Sequence, residues 1–466
     1  MTKTAKKAVG TDFTKGPIMP LLLKFFLPFL LANALNSLYN TVDTVIIGHF
    51  LGSYGIVAVS MGGKMLNVYT HISIALAAAG QVLISQHIGA GQRRELNPTI
   101  GTLFTELMGI SAILGIATLC FGEDLLRLIN TPEESIPAAL SYLNITSIGL
   151  PLIFGYNAVS SVLRAMGDSK SPLIFIAIAT AMNIVLDIVF IVVFGLGVAG
   201  TALATILGQG LSLVFSVRLL YRKRESFGFD FRLSSFAVKW RKLGLLLKLG
   251  LPLSMRMVFI AGTQFFLLSY INTFGIAASA AYNVSDKIYH LANIFSMSVR
   301  EAAGTVVAQN IGAGRYDRVK ETVKSVAIVA FGAAFVMTAL SLAFPRAVFS
   351  LFTSDPAVLD QARVYLAICC IIYILSAAIA PYEGVVSGTG NSKLGFLGGM
   401  LDGVVFRLGF GMFFGLYMGL GAPGFFLGDA LARLGIVLVG AVYYHSGKWK
   451  KYRIISTDRG EDQNEN

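Results

Sequence analysis

Charge is the commodity this chain has least of. Only 13% of its 466 residues are Asp, Glu, Lys or Arg, about half the share of an ordinary soluble domain. Apolar residues make up 55%, and the mean hydropathy is +0.70. A chain this poor in charge is not a soluble globular protein; it is read as an integral membrane protein. Cysteine is scarce too: Cys120, Cys369 and Cys370 all lie in apolar stretches without metal-ligand spacing, which leaves no basis for a disulfide framework or a zinc site. No His-Glu or His-His ligand pattern and no Walker A loop occurs, so an intramembrane metalloenzyme and an ATP-driven pump both lack their chemistry. The ten-residue alternation of a transmembrane barrel strand is missing as well. At the N-terminus, Lys3, Lys6 and Lys7 precede Thr11, Asp12 and Lys15, where a cleavable signal peptide would need an apolar core and a small-residue cleavage site. The first helix is therefore expected to direct insertion itself.

What the chain does have is a sentence said twice. Gln86-His87-Ile88-Gly89-Ala90-Gly91 returns 223 positions later as Gln309-Asn310-Ile311-Gly312-Ala313-Gly314. Gly195-Leu196-Gly197-Val198-Ala199-Gly200 returns 224 positions later as Gly419-Leu420-Gly421-Ala422-Pro423-Gly424. Lys24 falls on Lys248, Pro28 on Pro252 and Lys64 on Lys287. In membrane proteins such duplication usually builds two bundles that move against each other around a shared binding site, which points to transport.

Apolar runs of ~20 residues, the length that crosses the hydrocarbon core as helix, predict spans at 18 to 46, 54 to 87, 97 to 121, 135 to 163, 172 to 194 and 198 to 221. The second half repeats them at 244 to 273, 278 to 310, 321 to 344, 358 to 386, 394 to 417 and 422 to 445. The expected fold is all-α, with twelve transmembrane helices in two pseudo-symmetric six-helix bundles. Its parts are an N-terminal segment (1–17), an N-lobe (18–221), a linker (222–243), a C-lobe (244–445) and a polar tail (446–466).

Basic residues crowd alternate loops: Arg93 and Arg94, Arg164 and Lys170, the run from Arg222 to Lys242, Arg315, Arg318 and Lys320, Lys393, and Lys448, Lys450, Lys451 and Arg453. The intervening loops hold little beyond Arg127 and Arg346. By the positive-inside rule both termini are cytoplasmic, which an even number of spans requires. The net charge of +12 raises nucleic-acid binding, but these are membrane-flanking clusters without interleaved aromatics or a soluble domain, so no nucleic-acid partner is expected.

Ionisable groups inside spans cost ~2.5–3.5 kcal/mol each on insertion scales and are functional hypotheses by default. Helix 1 carries Asn33, Asn36, Asn40 and Asp43, a spacing that sets all four on one stripe. Helix 5 carries Asn183 and Asp187 one turn apart and no Lys or Arg. Thr205 on helix 6 and Tyr39 on helix 1 add neutral oxygens. Two carboxylates, amide oxygens and hydroxyls suit a hard cation such as Na⁺ and could equally hold a proton. The alternative for the asparagines is interhelical hydrogen bonding, and Lys64 could approach an aspartate and turn the site into an ion pair.

The second half differs. Arg407 stands at the repeat position of Asn183, and Asp429 at that of Thr205. Asp402 with Arg407, and Asp429 with Arg433, can meet within their own helices, so this lobe reads as self-neutralised; the alternative is that its arginines, Arg256 included, bind an anionic substrate. Glu106, Glu301 and Glu383 read as structural charges near helix ends, and His71 and His290 as proton shuttles or hydrogen-bonded filler.

The chain resembles the MATE family, the multidrug and toxic compound extrusion transporters. The resemblance covers residues 17 to 445 and rests on the duplicated length, Val42-Asp43-Thr44, the Gln86 to Gly91 segment, Leu163-Arg164-Ala165-Met166-Gly167-Asp168, Asn183-Ile184-Val185-Leu186-Asp187, and Gly197-Val198-Ala199-Gly200 with Ala204-Thr205. It implies two lobes in a V around a central cleft and secondary active export of organic, often cationic drugs by antiport with H⁺ or Na⁺, without a cofactor. The implied setting is a bacterial plasma or inner membrane, and the implied working form a monomer. It further implies a cation site at Asp43, Asn183, Asp187 and Thr205, with Tyr39 and Asn157 as neighbours; Asn36, Asn40, Arg256, Gln264 and Arg407 are carried as cleft or supporting residues. Where some bacterial members keep an acid in helix 10 this chain has Ser376, and where eukaryotic-type members use a helix 7 Glu it offers Arg256 and Gln264, so coupling is expected in the N-lobe. A flippase for lipid-linked precursors is the rival reading, favoured by Arg256, Arg407 and Arg433 and disfavoured by twelve spans and unpaired N-lobe carboxylates.

Overall fold

The computed structural model describes residues 10–452 and 454–455. Lys3, Lys6, Lys7, Arg453 and the tail from Thr457 lie outside the described residues. Among those described there is no β-strand. The helices are α1 (Ile18–Gly89), α2 (Leu96–Leu128), α3 (Ile136–Ile148), α4 (Leu150–Ala165), α5 (Lys170–Ile188), α6 (Gly197–Arg222) and the short α7 (Arg224–Phe227) in the first half. The second half holds α8 (Trp240–Asn272), α9 (Ile276–Gly312), α10 (Tyr316–Ala343), α11 (Pro345–Ser350), α12 (Pro356–Leu359), α13 (Ala362–Thr389), α14 (Ser392–Met400), α15 (Arg407–Met412), α16 (Gly421–Ala432) and α17 (Leu434–His445).

By length and apolar content nine described helices can cross a membrane, or ten when the bent pair α3 and α4 is counted as one span. The difference from the expected twelve has local causes. The first two predicted spans run together in α1, which is interrupted only at Gly52, whose φ of 63° and ψ of −163° are non-helical; glycine carries that conformation without a Cβ clash. The predicted span 135 to 163 is broken: α3 and α4 meet at a 47° bend where Pro151 opens α4, because proline suits a first helical turn and disrupts the interior of a longer helix. The predicted span 278 to 310 forms as α9 but is too polar to count by composition. Wider π turns follow α5 at Val189–Val193 and separate α14 from α15 at Leu401–Phe406, each beside a buried aspartate, Asp187 and Asp402. Such turns often sit at functional positions.

The chain folds as two compact units. One comprises residues 10–12, Leu31–Ile88 and Gln92–Gly250; the other comprises Phe13–Leu30, Gly89–Gly91 and the chain from Leu251 onward. In the first unit, Ile100, Leu103, Leu107, Phe154, Val159 and Ala202 are fully buried. In the second, α9, α10 and α13 pack around Val299, Ala302, Val306, Val326, Tyr365 and Leu366, joined by Phe13, Phe25 and Phe29 from the chain's beginning.

The repeated Gln motif explains how that beginning is held. Gln309 accepts the Phe13 N–H at 3.2 Å, Asn310 donates to the Phe13 carbonyl at 3.2 Å, and the buried Arg318 donates to the carbonyls of Phe13 at 2.8 Å and Gly16 at 2.8 Å. In the first unit the motif serves a different segment: Lys242, at the start of α8, pairs with Glu95 at 2.6 Å and reaches His87 at 3.3 Å. Residues 229–239 then lie along α2, where Asn97 bonds Ser235 at 3.1 Å, Thr105 bonds the Phe236 carbonyl at 2.6 Å, and Phe229 packs against Phe104 and Phe236.

Candidate functional site

The polar stripe of α1, the last turn of α5 and the middle of α6 converge inside the first unit. Asp187 and Asn183 are 0% and 3% exposed, because their α5 face turns inward while Met182, Val185 and Ile188 point outward. Asp43 reaches them from α1, and its carboxyl lies within hydrogen-bonding reach of that of Asp187. Thr205 collects the neutral groups: its hydroxyl is 3.4 Å from the Tyr39 hydroxyl and 3.5 Å from the Asn183 amide nitrogen.

One participant was not expected. Tyr142 of α3 is buried and stands beside Thr205 and both aspartates. A signal for it exists in the repeat, since Tyr142 falls on Tyr365 of the second half and both are buried. A single tyrosine in a span is otherwise ordinary, which is why composition alone passed over it.

The oxygens of this cluster are under-satisfied. One carboxylate oxygen of Asp43, both of Asp187 and the amide oxygen of Asn183 are buried without a hydrogen-bond donor. Each aspartate has the other as its charged neighbour, with no lysine or arginine among the described groups that act on them. Lys64 does not reach them; it is exposed and contacts Met61 at 3.6 Å. Two ionised carboxylates about 4 Å apart repel by roughly 4 kcal/mol at an effective dielectric of 20. The arrangement therefore has room, in charge and in lone pairs, for one cation or one shared proton. Beside it Asn36, Tyr39, Asn183, Thr205, Tyr156 and Gln209 line a cavity of about 30 Å³, enough for a water or a small ion among polar partners.

Other sequence candidates fall elsewhere. Asn157 donates to Ser73 at 3.0 Å, tying α4 to the second part of α1. Asn40 is exposed, its carbonyl taken by Thr44 at 2.7 Å. Gln264 is exposed on α8.

The second unit handles its buried charge differently. Arg407 sits between Asp402 at 3.4 Å and Asp429 at 3.2 Å, and Asp429 also meets Arg433 at 3.3 Å. The Arg433 guanidinium lies over the Tyr289 ring at 4.6 Å. The helix-internal pairs are those expected from spacing; the bridge from Arg407 to Asp429 across two helices is not. Arg256, carried as a cleft residue, is buried and engaged to Glu383 at 2.7 Å, with Arg300 on the same carboxylate at 3.1 Å. His290 stands 3.7 Å from Asp286, and His71 bonds the Asn67 carbonyl at 2.7 Å. Among the described residues no group of three or more His, Cys, Asp or Glu is arranged to hold a metal ion, so a cation at Asp43 and Asp187 would draw on amide and hydroxyl oxygens as well.

A family model described as MatE matches residues 28–189 and 252–401. The "Probable multidrug resistance protein YpnP" of Bacillus subtilis (strain 168) is 29% identical over 449 residues, covering 96% of this chain and 99% of that protein. The "Probable multidrug resistance protein NorM" of Thermotoga maritima is 24% identical over 455 residues, covering 94% of each. A solved structure described as "Crystal structure of MATE in the straight conformation" superimposes with a TM-score of 0.87 at 22% identity, covering 96% of this chain and 100% of that one.

Proposed function

With both of its halves matched, the chain belongs to the MatE family of membrane transporters, and we propose that it exports organic, often cationic compounds by antiport with H⁺ or Na⁺ through Asp43 and Asp187. It is a multi-pass transporter and not an enzyme. The observation that carries the coupling proposal is the buried acid pair, two carboxyls in mutual reach with unfilled lone pairs and no basic neighbour among the described residues.

When a proton or Na⁺ enters, the repulsion between the two carboxyls ends and α1 is drawn to α5 and α6 through Asp43, Asn183 and Thr205. When it leaves, α1 is released. An ion bound more tightly in one conformation shifts the population toward it, and a drug that prefers the other conformation is moved at the ion's expense. Tyr39 and Tyr142 hold Thr205 and keep the cluster aligned. The membrane is the bacterial plasma or inner membrane, both termini are cytoplasmic, and the working unit is one chain. The flippase reading is less favoured because Arg256, Arg407 and Arg433 are all engaged with carboxylates.

Purified protein in liposomes, given a pH or a Na⁺ gradient separately, is expected to export a fluorescent organic cation with at least one of the two. Asp43→Asn is expected to slow that export more than tenfold. Export by Asp43→Asn at the wild-type rate would sink the coupling role, and gradient-independent scrambling of an anionic lipid analogue would favour the flippase.

A further inference from the structure

Residue 101 and its repeat partner 324 belong to opposite kinds of surface. In the first unit the Ser235 carbonyl occupies the space that a Cβ on Gly101 would need, so the linker seats on α2 only because that residue has no side chain. Displaced by 223 positions, Gly101 becomes Lys324 and Asn97 becomes Lys320. The register is firm, since Leu96, Leu103 and Leu107 are buried on α2 as Val319, Val326 and Ala330 are on α10. A segment seated like the linker would clash with Lys324, and the corresponding face of α10 is open. Between α10, α13 and α17 it forms a groove of about 500 Å³, within the roughly 300–1,000 Å³ of small-molecule sites.

The groove has two chemically distinct ends. Lys320 and Lys324, one turn apart at the start of α10, and Tyr444 stand at one; Ala327, Phe331 and Ala378 continue along the apolar remainder. Both lysines are exposed, and neither has an ion-pair partner among the described residues. Asp317 and Glu321 of the same turns do not line the groove. Beyond it α10 presents Ile328 and Phe335 outward, and α17 presents Leu438 and Val442, an apolar surface of the kind that faces lipid chains. A pair of cations above an apolar trough matches a molecule with an anionic head and long apolar chains.

We propose that this groove of the second unit binds an anionic phospholipid, its phosphate at Lys320 and Lys324 and an acyl chain along Ala327 and Phe331. The lipid takes the place that the chain's own linker takes in the first unit. The assignment is independent of the coupling chemistry at Asp43 and Asp187.

The test offers the full-length protein, stripped of lipid in detergent, equal amounts of phosphatidylglycerol and phosphatidylcholine with the same chains, and reads the retained lipid by native mass spectrometry. Wild type is expected to retain one phosphatidylglycerol in preference. The double variant Lys320→Gln, Lys324→Gln is expected to lose roughly fivefold of that preference per lysine, ~25-fold for the pair. Ala327→Trp keeps both lysines but fills the groove, and is expected to lose the bound lipid too. An undiminished preference in Ala327→Trp would mean that the lysines only gather lipid at the periphery, and an undiminished preference in the double variant would remove the headgroup contact; either overturns the proposal. A several-fold rise in lipid retained when residues 457–466 are removed would give the groove to the chain's own end and overturn it as well. Unchanged melting temperatures establish that each variant is folded.

Discussion

The two units solve the problem of buried charge in opposite ways. In the first, Asp43 and Asp187 confront each other with lone pairs unfilled and no base nearby among the described residues. In the second, Asp402, Arg407, Asp429 and Arg433 form a chain of ion pairs, and Glu383 is gripped by two arginines. A duplicated fold thus keeps, among its described residues, a pair of buried acids with no cationic partner in one unit and buried acids engaged by arginines in the other. Repeat symmetry makes the contrast sharp, since Arg407 stands where Asn183 does and Asp429 where Thr205 does.

The comparison can be broken most severely at Arg407. Arg407→Ala leaves Asp402 and Asp429 buried without their shared cation, and should cost about 3–5 kcal/mol of stability, read as a lowered melting temperature. Asp187→Asn removes a repulsion rather than a partner and should change stability by less than about 1 kcal/mol while abolishing ion-driven export. Were Asp187→Asn to prove as destabilising as Arg407→Ala, the acid pair would be structural and the contrast between units false.

A smaller effect separates the two groove faces. Gly101→Leu has to displace the Ser235 carbonyl and should lower stability by about 1–3 kcal/mol, the usual range for overpacking. Lys324→Leu, at the repeat position on an open face, should stay within about 0.5 kcal/mol. Equal melting temperatures for the pair would show that the linker does not rest on α2 as described.

Smallest of all is Tyr142→Phe, which removes the hydroxyl beside Thr205 and keeps the ring. A loss of about 1 kcal/mol in ion affinity should appear as a several-fold higher ion concentration for half-maximal export with an unchanged maximal rate. No change in that concentration would reduce Tyr142 to packing.

Much of this was legible along the chain. Asp43 and the asparagines of α1 could be placed on one stripe from their spacing, and so could Asn183 with Asp187, Asp402 with Arg407 and Asp429 with Arg433, because each pair lies within one helical turn or little more. The break at Pro151 is marked by the proline itself, but a continuous apolar run hides a bend that costs nothing in hydropathy. Tyr142, the Arg256 to Glu383 pair and the bridge from Arg407 to Asp429 were out of reach, because each joins different helices.

The sequence by itself determined that this is a helical membrane protein built from a repeated half, with acids inside the spans of the first half and acid and arginine at helical spacing in the second. Burial in hydrocarbon is so costly for charge and for open backbone groups that composition and period leave few alternatives. Only the tertiary structure decided that Asp43 meets Asp187, that Thr205 gathers Tyr39, Asn183 and Tyr142, and that the linker fills on α2 a groove left open on α10. Helical period relates a residue to its neighbours three or four places away, while the rotation of one helix against another is set by the packing of all of them together.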